Sequence, residues 1–281
     1  MASNLTKNSE LNTFFLIVLL SLALSLLLTA VNAIPSGPDV TVLGNSTKNV
    51  AAATKINSTN GTSTPGGFIF TISLNSLQQN TRWKGYVGNV TGTLTLDDAN
   101  DNTLFQWSLS TITGEVYATR ASSSINWSGI NCTWVADGNI DAADGATSNR
   151  TPEHNENVAL SHTSRDDNVT KTFQYRNHSQ ITVGGIVIGK NECYSIQTWQ
   201  NDDDQAFSNS DDANFTEVIL YDGALNSMTG NVVYQTNIED NLQGYRNTGT
   251  NETYDFQMIV PENGAPGFSS STAYYFYVEL S

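Results

Sequence analysis

The most concentrated chemistry in the chain is a set of oxygen ligands at tight spacing. Asp137, Asn139 and Asp141 alternate with Gly138 and Ile140, and Asp144 follows just before Gly145. Calcium takes about six to eight hard oxygens from carboxylates, amides and carbonyls, and closely spaced Asp and Asn in a turn supply them. The loop departs from the EF-hand pattern, with Ala142 where Gly belongs and Ser148 where a bidentate Glu belongs. Asp98, Asn100 and Asn102 echo the spacing weakly, and Asp202, Asp203, Asp204, Asp211 and Asp212 add an acidic cluster. An all-oxygen set favours Ca²⁺ over Zn²⁺.

Catalytic constellations are poorly represented. Of three histidines, His154 and His162 lie near Glu153, Glu156 and Asp166, and His178 sits inside an Asn-x-Ser sequon. No HExxH, GxSxG or Gly-rich phosphate loop occurs. The expectation is a protein without catalytic residues. Exposed tryptophans could instead stack on sugars, with Trp83, Trp127, Trp134 and Trp199 as the candidates and Trp107 assigned to a core-facing strand position.

Two further residue types carry covalent chemistry. Cys132 and Cys193 are the only cysteines. In an exported chain they are expected to form one disulfide across about sixty residues. The sequons include Asn45, Asn57, Asn60, Asn89, Asn126, Asn131, Asn168, Asn177, Asn214 and Asn251. In a chain this rich in Asn, Ser and Thr about six would arise by chance. Asn45, Asn57 and Asn60 precede Gly66, in a stretch where sugar acceptors would be accessible.

The surrounding chain suggests where such residues would operate. Residues 1–33 read as a secretory leader: Lys7, an apolar run over Phe14–Ala30, and a small-x-small cleavage site at Val31-Asn32-Ala33. Nothing later is apolar enough to span a bilayer, so the expected product is extracellular or held at the cell surface, without an anchor of its own. Net charge is −15 with 14% charged residues, which excludes the basic footprint of a nucleic-acid binder. Residues 34–65 hold Pro35, Pro38 and Pro65 and no aromatic, too polar to fold alone.

From Gly67 onward the pattern is β. Phe68, Phe70, Ile72 and Leu74 alternate with less apolar residues, and Val90–Leu96 joins Thr103–Leu109 across an Asp/Asn-rich turn as a hairpin, with Phe105 and Trp107 facing inward. Gly114–Thr119 follows, and after an irregular stretch over 137–170, strand signals return at 172–175, 181–183, 186–188, 194–199, 215–221, 232–236, 254–260 and 273–280. The last, Tyr274–Val278, is apolar on both faces and predicts a central, fully covered strand. The fold class expected is all-β: an antiparallel sandwich of about ten strands over 66–281, with a possible division into two near residue 165, preceded by the extended arm.

In layout, with a leader, a polar arm and one sugar-acceptor-rich β domain, the chain resembles the subunits of archaeal thread and bundling pili. Bacterial biofilm-fibre β proteins are more distant in plan. The stretch Trp83-Lys84-Gly85-Tyr86-Val87-Gly88-Asn89-Val90-Thr91-Gly92 is also similar in character to archaeal surface proteins. The resemblance implies a homopolymer in which one subunit's arm enters the sandwich of the next. Physics allows the same device independently: an open sheet edge is completed by a donated strand, and head-to-tail donation builds a filament. Val40, Val42, Val50 and Ile56 are the candidate pocket-fillers, with Phe68–Leu74 and Ala273–Leu280 as the acceptor. The alternatives are a non-filamentous, S-layer-like surface glycoprotein and a secreted carbohydrate-binding module.

Overall fold

The computed structural model describes residues 34–45, 80–132, 152–162, 166–200, 203–206, 213–223, 230–245, 252–263 and 272–281. The described chain is mostly strand, all pairings are antiparallel, and the two α-helices are short. The main sheet has seven strands. Its order runs from β15 (Tyr275–Leu280) through β4 (Gly114–Thr119), β11 (Val232–Asn237) and β10 (Ala213–Tyr221) to β8 (Ser195–Gln200) and β9 (Asp203–Ala206), with β5 (Asn131–Cys132) paired to β10. β4 is bonded to both β11 and β15, so one sheet draws strands from both sides of residue 165.

The central strands are apolar on both faces, and each face is covered. On one, Val116, Ala118, Ile196, Ile219 and Tyr234 pack against Met258 and Val260 of β14 (Phe256–Pro261), which pairs with β1 (Trp83–Gly88). On the other, Tyr117, Val218, Leu220 and Val233 pack against Ile181, Val183 and Ile188 from the β6 (Ile181–Val183) and β7 (Ile186–Ile188) hairpin. That hairpin turns on Gly184 and Gly185 at φ +54° and +83°, the positive pair a two-residue turn needs. Alternation along β4, β10 and β11 thus supplies two cores from one sheet.

The disulfide joins Cys132 to Cys193, with Cα atoms 4.9 Å apart, and ties β5 to the segment feeding β8. His178 accepts the Cys193 N–H at Nε2 (2.9 Å) and its Nδ1 bonds the Ser179 carbonyl (2.6 Å). A ring with one accepting and one donating nitrogen is neutral, and burial lowers its pKa accordingly.

The irregular stretch contains α1 (Pro152–Ala159) and a single turn, α2 (Val169–Thr172), where the sequence suggested a strand beginning at Thr172. Asn168 caps that turn by accepting the Lys171 N–H at 2.8 Å, and a capped turn outcompetes an isolated β segment. Arg120 at the end of β4 clamps Glu156 of α1 with bonds of 2.5–3.2 Å.

Among the described residues Glu217 is a buried acid with no facing cation. Glu217, 1% exposed, accepts the Ile259 N–H of β14 at 2.8 Å, while its other oxygen has no partner. Burial pushes its pKa well above 4.5, so the folded state holds a proton that the unfolded chain releases. A raised carboxyl pKa gives stability that is fully present below about pH 4.5 and lost as pH rises. Glu217→Gln is therefore expected to raise the thermal midpoint at pH 8 and to change it little at pH 4. Calorimetry at the two pH values checks this, and an equal shift at both would contradict it.

Candidate functional site: the outer edge of the last strand

β15 lies at the end of the sheet order, not in its middle. Its two-sided apolar pattern corresponds to partial cover of each face: Tyr277 meets Trp127 at 5.3 Å and Phe276 meets Tyr86 at 5.0 Å. Most of the strand is half-buried and Tyr275 is exposed, so the strand is not fully covered. The pattern does not report neighbours along the hydrogen-bonding direction. β4 occupies one side of β15, and the other is an edge.

That edge holds the start of the arm. Ser36 exchanges both main-chain bonds with Val278, N to O at 3.0 Å and O from N at 2.8 Å, and Pro35 beside it is buried. In an antiparallel pair, outward-facing groups recur at every second residue. Phe276 and Leu280 therefore present their N–H and C=O to the same side as Val278. The residue that would continue the pairing opposite Phe276 is Pro38, which has no N–H. Among the described residues Ser36 is the only one bridged to this edge.

Beyond Pro38 the arm is solvated. Val40 is 59% exposed and Val42 79%, and they share a face at the period of a strand. Val50, Ile56 and the Phe68–Leu74 part of the expected acceptor lie outside the described residues, as do the calcium candidates Asp137, Asn139, Asp141 and Asp144. Among the described residues no three His, Cys, Asp or Glu side chains gather to hold a metal ion.

The C-terminal end of the edge strand is anchored tightly. A Cβ on Gly114, at φ +137°, would sit 1.9 Å from the Glu279 carbonyl, so only glycine permits this approach of β4 to β15. Ser281 donates to the Thr113 carbonyl at 2.9 Å, and Thr113 Oγ1 donates back to Ser281 O. Glu115 and Glu279 face each other across the ladder, both buried. Burial first, then the facing Glu279, push the Glu115 carboxyl up to about 7.

A second unpartnered surface stands nearby. β2 (Leu94–Asp97) and β3 (Thr103–Trp107) form a hairpin whose turn is knit by Asp98 accepting from the N–H groups of Asn100 and Asn102 at 2.8 and 2.9 Å. The expected hairpin is present, but Phe105 and Trp107 are 55% and 47% exposed, not inward-facing. The alternation placed them on one face with Leu94 and Leu96, yet no described element packs on that face.

The remaining candidates divide by accessibility. Trp83 donates Nε1–H to the Asp167 carbonyl at 2.8 Å and packs on Phe173, and Trp127 is wedged between Tyr117 and Tyr277. Both are spent on packing, so neither offers a free sugar platform; Trp134 is not among the described residues. Asn45, Asn89 and Asn126 are exposed, and Asn168 is half-buried. Asn131 and Asn214 donate Nδ2–H to the Gly129 and Gln243 carbonyls at 2.7 and 2.8 Å. Asn177 is 7% exposed and its Nδ2 is fully enclosed. Asn57, Asn60 and Asn251 lie outside the described residues. No helix among the described residues is long and apolar enough to cross a membrane. Comparison with family models, curated proteins and solved structures finds no match.

Proposed function

We propose that this chain is a structural, non-enzymatic subunit of an extracellular, glycosylated filament of the thread or bundling-pilus kind, assembled from copies of itself by strand donation. The observation that carries it is the outer edge of β15, where the arm supplies one paired residue and is then stopped by Pro38. An open edge is a template for another chain. The exposed Val40 and Val42 give a donated strand two side chains for alternate pockets. Phe276 and Leu280 are the acceptor positions by backbone direction, and Val278 joins them once Ser36 is displaced from it. Because donor and acceptor are different surfaces of the same chain, the contact propagates.

The test is removal of Ile34–Pro65 from the secreted protein. The expected product is folded and monomeric by sedimentation. The same polymer from the truncated chain would sink the arm as donor and favour the lattice-forming surface glycoprotein. The carbohydrate-binding alternative is weakened by the packed positions of Trp83 and Trp127.

N-glycans belong to the same reading, and side-chain accessibility ranks their sites. Peptide mapping is expected to find sugar at Asn89 and Asn126 and none at Asn177, whose enclosed Nδ2 leaves no room for a glycosidic bond. An occupied Asn177 would contradict the packing around it. Calcium at Asp137, Asn139, Asp141 and Asp144 rests on the oxygen chemistry of that loop alone.

A further inference from the structure

The strand that carries the proposed assembly edge also carries a buried acid that directly faces another. Glu115 on β4 and Glu279 on β15 are directly opposed, 9% and 6% exposed. Like charges directly opposed across a ladder destabilise it, and here both are withdrawn from water. The groups that face them are known from every neighbouring element. Tyr117 of β4 donates its hydroxyl to Glu279 Oε2 at 3.0 Å, and the Gly184 N–H of the β6–β7 turn donates to the same oxygen at 3.0 Å. The Thr182 main chain of β6 bonds Glu115. From β11 the cross-strand neighbours of Glu115 and Tyr117 are Asn237 and Gln235, both uncharged. Residues 181–188 carry no ionisable side chain. The nearby His178 is committed to Ser179 and Cys193. The ion pairs of Lys84, Arg120 and Lys171 go to other acids.

We infer that a proton on Glu115, directly opposite the buried Glu279, acts as a pH-operated catch, clasping β15 to β4 and to the β6–β7 turn in mild acid and loosening it as the proton leaves. The carboxyl pair spans three elements at once, so ionising Glu115 sets a buried charge against its facing acid across the ladder that fixes the last strand. Tyr117, kept neutral by burial and by both facing acids, donates a hydrogen bond to Glu279 but brings no positive charge to offset a carboxylate on Glu115. The sign follows from linkage. A carboxyl raised from 4.5 to about 7 contributes stability that is complete below the unfolded value and is lost progressively up to about pH 7. The catch is therefore closed near pH 5 and released above neutrality. It deepens the assembly reading, since a loosened β15 is a poorer acceptor, but its test needs no filament.

Amide hydrogen exchange on the full chain, corrected for the intrinsic pH dependence of exchange, reads the catch directly. Protection of the β15 amides is expected to fall about 30-fold between pH 5.5 and pH 8. Glu115→Gln should abolish the fall and leave β15 better protected than wild type at pH 8, and Glu279→Gln, which removes the facing acid but not the burial, should make the fall smaller. Glu217→Gln, on the opposite face of the sheet, should leave the β15 fall in place. Protection that is independent of pH in the wild type, or a fall that persists in Glu115→Gln or is undiminished in Glu279→Gln, overturns the inference. Recovery of protection at pH 8 on adding CaCl₂ would also overturn it, by showing that a cation and not a proton joins the pair. Loss of polymerisation with the pH-dependent exchange intact would count against strand donation and leave the catch standing.

Discussion

Replacing Cys132 and Cys193 together by alanine should destabilise the protein by about 4 kcal/mol, the chain-entropy value for closing a loop of this length. The bond spans 61 residues, and that loop includes α1, α2 and the β6–β7 hairpin. Few of these elements are tied to the main sheet by strand pairing. β6 and β7 pair only with each other, and Tyr175 makes a single bridge to Ser195. Cys193 is fully buried in the same core as Ile181, Val183 and Ile188, so the cross-link and the packing of the hairpin act on one site. For a domain of this size the loss corresponds to roughly 10 °C in thermal midpoint. Thermal or denaturant unfolding of oxidised wild type against the double variant measures it. Equal midpoints would mean that the loop is already as restricted in the unfolded chain as the bond makes it.

The second large effect concerns assembly. Val40→Asp together with Val42→Asp is expected to abolish polymer formation while leaving the fold and its thermal midpoint unchanged. Both side chains are mainly solvent-exposed, so charges there remove no packing in the isolated chain. In a donated strand the same two positions would be pressed against a neighbour, where an unpaired carboxylate is costly to bury. The net charge of −15 adds repulsion between copies. Sedimentation velocity separates the outcomes. A variant that polymerises like wild type would show that these valines fill nothing.

Much of the fold was legible because its local signals were strong. The β6–β7 hairpin was visible as two short apolar runs across Gly184-Gly185, and β10, β11 and β14 as alternating or doubly apolar runs. The disulfide followed from there being two cysteines in a chain expected to be exported. What failed is instructive. Tyr274–Val278 predicted a central strand, since a two-sided apolar pattern reports what covers the faces and contains no term for the next strand in the sheet. Trp107 was placed in a core because alternation identifies a common face, not whether anything lies on it. The Glu115–Glu279 pair could not be seen at all: the residues are 164 positions apart, and only the β4–β15 register brings them together. The edge position of β15 was not legible, because it depends on the β4–β15 pairing, and which residues of the arm face that edge depends on the Ser36–Val278 pairing.

The most direct test of strand donation is electron cryomicroscopy of the native secreted material. Filaments with an axial repeat are expected, in which backbone from residues 40–43 of one copy lies antiparallel along the Phe276–Leu280 edge of the next. Material with no fibrous order, or filaments in which residues 40–43 of each copy lie on their own domain, would contradict it.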